Sequence, residues 1–245
     1  VHTDARLSAV FAMAVYEQGC VENYGVPFGM TMEAGEMGAG VDLGSSAYEP
    51  HVTEYVIGTV SDWEKLPKLD VTKGRAKVVL DALGILKEEG DAVPIVGNLT
   101  GPVSTASSVM EPVVFYKELR KKNVDAHAFM QFVTDQLIRF GQAQIEAGAD
   151  VIAISDPSAT GEILGPKYFR EFTVRYVNQI VDAMKEAGAQ TIVHICGHMN
   201  PVYREVDEIH SDALSFDSVV PMKEAREELK DRTLMGKVST YTREV

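Results

Sequence analysis

The run Val151-Ile152-Ala153-Ile154, led in by Gly148-Ala149-Asp150 and closed by Ser155-Asp156-Pro157, constrains the fold more than any other stretch. Four apolar residues in succession do not alternate inward and outward. They predict a strand covered on both faces, as in a parallel sheet flanked by helices. Parallel strands need long crossovers, and helical patterns stand on either side of this one. Residues 124–147 place Phe129, Val133, Leu137, Phe140 and Ala143 at helical spacing, with Asp125 as candidate cap. Residues 166–187 do the same with Phe169, Phe172, Tyr176, Ile180 and Met184. These aromatics are read as core.

The same alternation of helix and strand fills the rest of the chain. Residues 4–21 predict a helix, with Leu7, Val10, Phe11, Ala14 and Val15 recurring at helical spacing, and residues 72–89 predict another. Strands are expected at 23–32, 92–97, 191–195, 213–217 and 233–238, and a charged helix at 222–230. Residues 98–102 read as a loop in which Gly97 and Gly101 make a tight strand-to-helix turn; the lysine of a phosphate loop is missing. Residues 40–70 show no sustained periodicity and suggest a long loop of the kind that often serves a site. Six strands without a linker argue one parallel α/β domain over residues 1–245. Glu33, Asn98, Asp156, His194 with Cys196, Asp217 and Ser239 each follow a strand. Side chains converging from many strand ends are how a (β/α)8 TIM barrel builds its site, whereas a doubly wound sheet would show a Gly-rich fingerprint at one switch point.

The chemistry is densest in Thr191-Ile192-Val193-His194-Ile195-Cys196-Gly197-His198-Met199-Asn200-Pro201, where three potential metal ligands fall within five residues. On an extended chain His194 and Cys196 point to one face, so imidazole and thiol can converge on one ion, although two ligands do not complete a zinc site. Asn200 and Pro201 suit the N-cap and first position of a helix reaching about residue 210, whose amides could assist an anionic substrate tail. Glu33 and Glu36 fit either a site or the solvated first turn of a short helix. His51 reads as a surface histidine, and Cys20 as a small residue in a helix-to-strand turn. A net charge of −13 opposes binding to nucleic acid or anionic membranes, and no apolar run approaches the roughly 20 residues of a bilayer span. Two distant cysteines suggest no disulfide and a reducing, cytoplasmic setting. A small-molecule enzyme is the expectation.

The order of these segments resembles the uroporphyrinogen decarboxylase superfamily, and within it the methylcobamide:coenzyme M methyltransferases. The likeness is carried by Val26-Pro27-Phe28-Gly29-Met30-Thr31-Met32-Glu33-Ala34, Gly97-Asn98-Leu99-Thr100-Gly101-Pro102, Gly148-Ala149-Asp150 with Ser155-Asp156, the His194-Ile195-Cys196-Gly197 block, and Gly236-Lys237-Val238-Ser239. It implies a (β/α)8 barrel whose first and last strands fall outside residues 1–245. It implies zinc bound by His194 and Cys196, with a second cysteine expected beyond Val245. Gly35 stands where the family's second glutamate is expected. The implied reaction moves a methyl group from a methylcobamide, carried on a corrinoid protein, to a thiol such as coenzyme M. Asp156 and Glu33 are then expected to act catalytically, and Asn98, Asp217 and His198 to contact cofactor or substrate. One of Asp156, Asp217 and Glu33 would orient His194 through its second nitrogen. The alternatives are a metal-free tetrapyrrole decarboxylase and a non-catalytic barrel that binds a corrinoid protein or small ligand.

Overall fold

The computed structural model describes residues 1–90 and 92–236. Helix α1 (Ala5–Glu17) starts where the Asp4 carboxylate accepts from the Leu7 amide at 2.8 Å. Strand β1 (Tyr24–Val26) ends at the cis Val26–Pro27 bond, since a proline has no N–H for the ladder. A short helix, α2 (Met32–Glu36), follows. Residues 40–70 are more regular than the sequence suggested: β2 (Gly40–Asp42) and β3 (His51–Glu54) pair as an antiparallel hairpin, and Val60–Lys65 forms a 3-10 helix. Then come α3 (Gly74–Glu88), β4 (Ile95–Thr100), α4 (Pro102–Val109), α5 (Pro112–Lys121) and α6 (Asn123–Glu146). Strand β5 (Val151–Ser155) leads to α7 (Gly161–Tyr168), a π-helical segment Phe169–Val174, and α8 (Arg175–Glu186). The chain continues through β6 (Gln190–Ile195), α9 (Tyr203–Asp207), β7 (Ala213–Phe216), α10 (Met222–Glu228) and β8 (Thr233–Met235).

Six strands form one parallel sheet in the order β1-β4-β5-β6-β7-β8, so that, apart from the β2–β3 hairpin inserted after β1, the strands lie side by side in chain order, as in a (β/α)8 barrel. The six sequence-predicted strands are these six. The side facing the helices holds the core: Ile152, Ile154, Val193, Ile195 and Leu214 are fully buried, as are Phe129, Val133, Leu137 and Phe140 of α6. The other side is concave. Val151, Ala153 and Ser155 lie half-buried on it, so β5 is not covered on both faces as its apolar run implied.

Several local expectations also fail, each for a physical reason. In α1 the outward residues are Leu7, Val10 and Phe11, about half exposed, whereas Ala9 and Ala12 are buried on the side that meets α3. Small residues let the two helices approach, so the apolar stripe is not the packed face. Asp125 does not cap α6; its carboxylate accepts from the Ser61 hydroxyl. Strand β4 runs on through Asn98 and Thr100, which were expected in a loop. The helix expected from Asn200 begins only at Tyr203 because the Val202 amide closes a turn on the Met199 carbonyl at 2.8 Å. A five-residue helix offers no anion site at Asn200.

Glu36 has a structural task. Helix α3 has no capping side chain of its own, and the Glu36 carboxylate accepts from its Arg75 amide at 2.6 Å. Glu36→Ala is expected to destabilise the protein by about 1 kcal/mol, the usual worth of a cap, and a lowered unfolding midpoint in urea would register it. An unchanged midpoint would contradict that role.

Candidate active site

The parallel register aligns Thr100, Ser155, His194 and Ser215 as neighbours across β4, β5, β6 and β7, at the ends where a barrel keeps its chemistry. His194 is half-buried on the concave side. Its Nδ1 lies 3.0 Å from Ser215 Oγ, and its Nε2 lies 3.3 Å from Cys196 Sγ. Both contacts are met when Nδ1–H donates to the serine oxygen and Nε2 accepts from the thiol. Burial lowers the His194 pKa, partly offset by the negative charge of Asp217, so the ring favours its neutral form. Burial raises the Cys196 pKa, and the charges of Asp217 and Asp156 add to the effect. The neutral pair suits one donor and one acceptor.

The strand can deliver both groups because the chain turns sharply after Cys196. Gly197 has φ +82°, and a Cβ there would stand 2.9 Å from Glu162 Oε2. Its amide points to Asp217 Oδ2 at 3.4 Å. Asp217 also accepts from the Val219 amide at 3.1 Å, the main influence holding its pKa below the usual carboxylate range. Asp217 therefore bears on the pair through its charge, and the group touching His194's second nitrogen is Ser215. Sequence reasoning missed Ser215. The signal existed, since Ser215 lies two residues before Asp217 on a predicted strand and thus on the same face.

His194 and Cys196 are residue types that can ligate zinc, and the 3.3 Å between Nε2 and Sγ is close to the separation of two ligands on one ion. Nitrogen and sulfur ligands of one tetrahedral zinc stand roughly 3.5 Å apart, given bond lengths near 2.0 and 2.3 Å. Among the described residues no group of three or more His, Cys, Asp or Glu side chains is placed to hold a metal ion. His198 is exposed, with its amide donating to Glu162 at 3.2 Å. Lys237, Val238 and Ser239, and the end of the strand expected at 233–238, lie outside the described residues.

The two carboxylates expected to be catalytic are buried and tied to backbone. Glu33, 1% exposed, accepts from the Thr100 amide and from the Thr100 hydroxyl, both at 2.7 Å. Burial raises its pKa against those hydrogen bonds and the nearby charge of Arg75. Asp156, fully buried, accepts from the amides of Val103 (3.1 Å) and Ser104 (2.7 Å) and from the Ser104 hydroxyl (2.6 Å), and so seats the N-terminus of α4. Burial pushes its pKa up to about 6 despite these donors. Asn98 donates to the Pro27 carbonyl at 3.1 Å and, with Pro27, Phe28, Met30, Thr100 and Ser155, lines a cleft of ≈ 240 Å³. Ser155 adjoins His194 across the sheet, which puts this cleft beside the histidine–thiol pair. His51 and Cys20 are exposed, and neither lines the cleft.

A parallel sheet of barrel type, with an imidazole, a thiol and a cleft at the C-terminal strand ends, defines a (β/α)8-type enzyme. The chain belongs to the uroporphyrinogen decarboxylase (URO-D) family, whose pattern matches residues 1–242. It is 32% identical over 236 residues to methylcobamide:CoM methyltransferase MtbA of Methanosarcina acetivorans, covering 96% of this chain and 69% of that protein. It superposes on a methyltransferase from Methanosarcina mazei with TM-score 0.90 and 31% identity, covering 98% of this chain and 72% of the other. Uroporphyrinogen decarboxylase of Myxococcus xanthus is 28% identical over 199 residues, 79% of this chain. The likeness is stronger and more extensive on the methyltransferase side.

Proposed function

We propose that this chain, as a single barrel domain over residues 1–245, transfers a methyl group from a methylated corrinoid to a thiol such as coenzyme M, in a zinc-dependent reaction. The observation that supports it most is the His194–Cys196 pair, 3.3 Å apart at a strand end, in a chain similar to methylcobamide:CoM methyltransferases. Free thiols ionise near pH 8.5 and react as thiolates. Bound zinc would supply the positive charge that keeps a substrate thiol ionised at neutral pH. Cys196 and His194 would hold that ion, and Ser215 would fix the His194 ring so that Nε2 presents its lone pair. The substrate thiolate attacks the methyl carbon, a carbon–sulfur bond forms, and the cobalt–carbon electron pair stays with cobalt. Phe28 and Met30 give the cleft an apolar wall, and Asn98 and Ser155 add polar contacts. Glu33 and Asp156 are assigned to the catalytic site, where their hydrogen bonds to Thr100 and to Val103 and Ser104 hold the strand ends in position. Asp217 and His198, from the loops that follow β7 and β6, are assigned to cofactor or substrate contact. The methyl donor is a corrinoid protein, and the free Cys196 thiol suits a reducing cytoplasm.

Methylcobalamin mixed with a thiol should lose its methyl–cobalt absorbance only when the protein is present. Consumption of uroporphyrinogen in place of methylcobalamin would overturn the proposal in favour of a tetrapyrrole decarboxylase. Inactivity toward both, with retained binding of a corrinoid protein, would favour a non-catalytic barrel. Ser215→Ala should leave the fold intact and weaken zinc affinity by about 10- to 100-fold, the usual effect of losing a histidine's supporting contact. Competition against a zinc-sensitive dye checks this, and unchanged affinity would remove Ser215 from the site.

A further inference from the structure

The cleft beside the histidine–thiol pair carries no charge on its walls. Phe28, Met30 and Leu99 give it apolar surface, Asn98, Thr100 and Ser155 give it neutral polar groups, and among the described residues no ionisable side chain lines it. Arg75, whose charge bears on Glu33, is not among the lining residues, and its Nη1 donates to the Thr31 carbonyl at 3.3 Å. At ≈ 240 Å³ the cleft is smaller than the sites that enclose a drug-sized ligand, so it has room for one arm of a large substrate and not for a ring system.

The hydrogen-bonding capacity left open on those walls can be counted. Asn98 Nδ2 donates to the Pro27 carbonyl at 3.1 Å, which fixes the side-chain amide, since a carbonyl accepts only from its nitrogen end. Oδ1 is then the free end, an acceptor with no partner among the described residues. The Thr100 hydroxyl has already given its proton to Glu33 Oε2 at 2.7 Å. Ser155 stands between Thr100 and His194 across the sheet, and unlike both neighbours its hydroxyl has no partner among the described residues. Neither Asn98 Oδ1 nor Ser155 Oγ is sealed from solvent. The cleft therefore offers one fixed acceptor and one free hydroxyl.

The two groups stand diagonally on the concave side, because the register sets Asn98 opposite Ala153 and Thr100 opposite Ser155. With strands about 4.8 Å apart and a two-residue step of about 6.6 Å, their Cα atoms are about 8 Å apart. A carboxamide held from both ends spans a similar length, two hydrogen bonds of about 2.9 Å on either side of the roughly 2.3 Å between its own nitrogen and oxygen. The geometry points to a subsite for a neutral carboxamide arm of the methyl donor, whose N–H donates to Asn98 Oδ1 and whose carbonyl accepts from the Ser155 hydroxyl. Phe28 and Met30 face the hydrocarbon stem of that arm. A carboxylate or sulfonate is the wrong ligand: it would set oxygen against Asn98 Oδ1 and bring a charge into a cleft with one free O–H and no cation. The assignment rests on the methyl-transfer reading, since corrinoids carry carboxamide arms around the ring.

Equilibrium dialysis against cyanocobalamin, whose cyanide keeps the cobalt from the Cys196 thiol, tests the subsite without turnover. At least one of its three monocarboxylic acids, each with one propionamide hydrolysed, should bind at least about tenfold more weakly than the parent amide. Ser155→Ala should weaken cyanocobalamin about threefold to tenfold and narrow the gap between amide and acid, with zinc content unchanged. Should that variant fail to fold, the acid series on the parent protein decides alone. Equal binding of all three acids, unaltered binding by Ser155→Ala, or no saturation by about 1 mM cyanocobalamin would each overturn the assignment. Discrimination between amide and acid without any methyl transfer would remove the methyltransferase reading and leave the carboxamide subsite standing; turnover of methylcobalamin without discrimination would do the reverse.

Discussion

Gly101→Ala is expected to destabilise the protein by about 3 kcal/mol or more, among the largest effects for a single methyl group. The backbone is not the obstacle, since Gly101 has φ −66°. Space is: a Cβ at Gly101 would lie 2.4 Å from Asp156 Cβ and 2.5 Å from its Cγ. Neither partner can retreat cheaply. The Gly101 amide donates to the Ser155 carbonyl at 2.7 Å, and the Asp156 amide donates to the His194 carbonyl at 2.9 Å, so both segments are pinned to the sheet. Pushing the Asp156 side chain aside strips the amides of Val103 and Ser104 of their acceptor, and a buried amide without one costs about 1–3 kcal/mol. Gly84→Ala is the matched control. A Cβ there meets nothing within 4 Å, inside α3, and the change should stabilise by up to about 1 kcal/mol. Chemical unfolding of the two variants should therefore move in opposite directions. A Gly101→Ala protein as stable as the parent would refute the account of Asp156 as the seat of α4.

The same corner shows what the sequence could and could not disclose. The strand at Val151 and its position in a parallel sheet were legible, because an apolar run bounded by Gly148 and Pro157 has few other uses. That Asp156 ends the strand was legible too, but not where its carboxylate turns. Its partners Val103 and Ser104 lie more than fifty positions earlier, on a Ser- and Thr-rich helix with weak intrinsic propensity that gave no local sign of itself. Glu33 is a parallel case, correct in place but directed at Thr100, 67 positions away. Helix α1 shows the opposite error, since Leu7, Val10 and Phe11 make the stronger apolar pattern while the smaller Ala9 and Ala12 make the contact. His194 and Cys196 were readable because their pairing depends only on the two-residue period of one strand. For Ser215, 21 positions on, the two-residue spacing from Asp217 gave the face, but its pairing with His194 depends on the register between β6 and β7, which no local rule supplies.

Cys196→Ser and His194→Ala are expected to abolish methyl transfer, by at least about a thousandfold, a loss of about 4 kcal/mol in barrier terms. The two changes remove different things. Serine keeps the shape of Cys196 but replaces a soft, readily ionised sulfur by a hydroxyl that stays protonated and binds zinc poorly. Alanine at 194 removes the nitrogen and leaves Ser215 without its ring partner, so Ser215→Ala combined with it should add little further loss. Stability should barely change with Cys196→Ser, because Cys196 is only half-buried and no core packing is lost. Activity can therefore be separated from folding by measuring zinc content, unfolding midpoint and methylcobalamin demethylation on the same preparations. The expected pattern is about one zinc per parent chain, none in either variant, and unfolding of Cys196→Ser close to the parent's. A parent protein that turns over methylcobalamin while elemental analysis finds no zinc would separate the methyltransferase assignment, which would stand, from the metal assignment, which would fall. The 3.3 Å between imidazole and thiol would then be no more than a half-buried hydrogen bond.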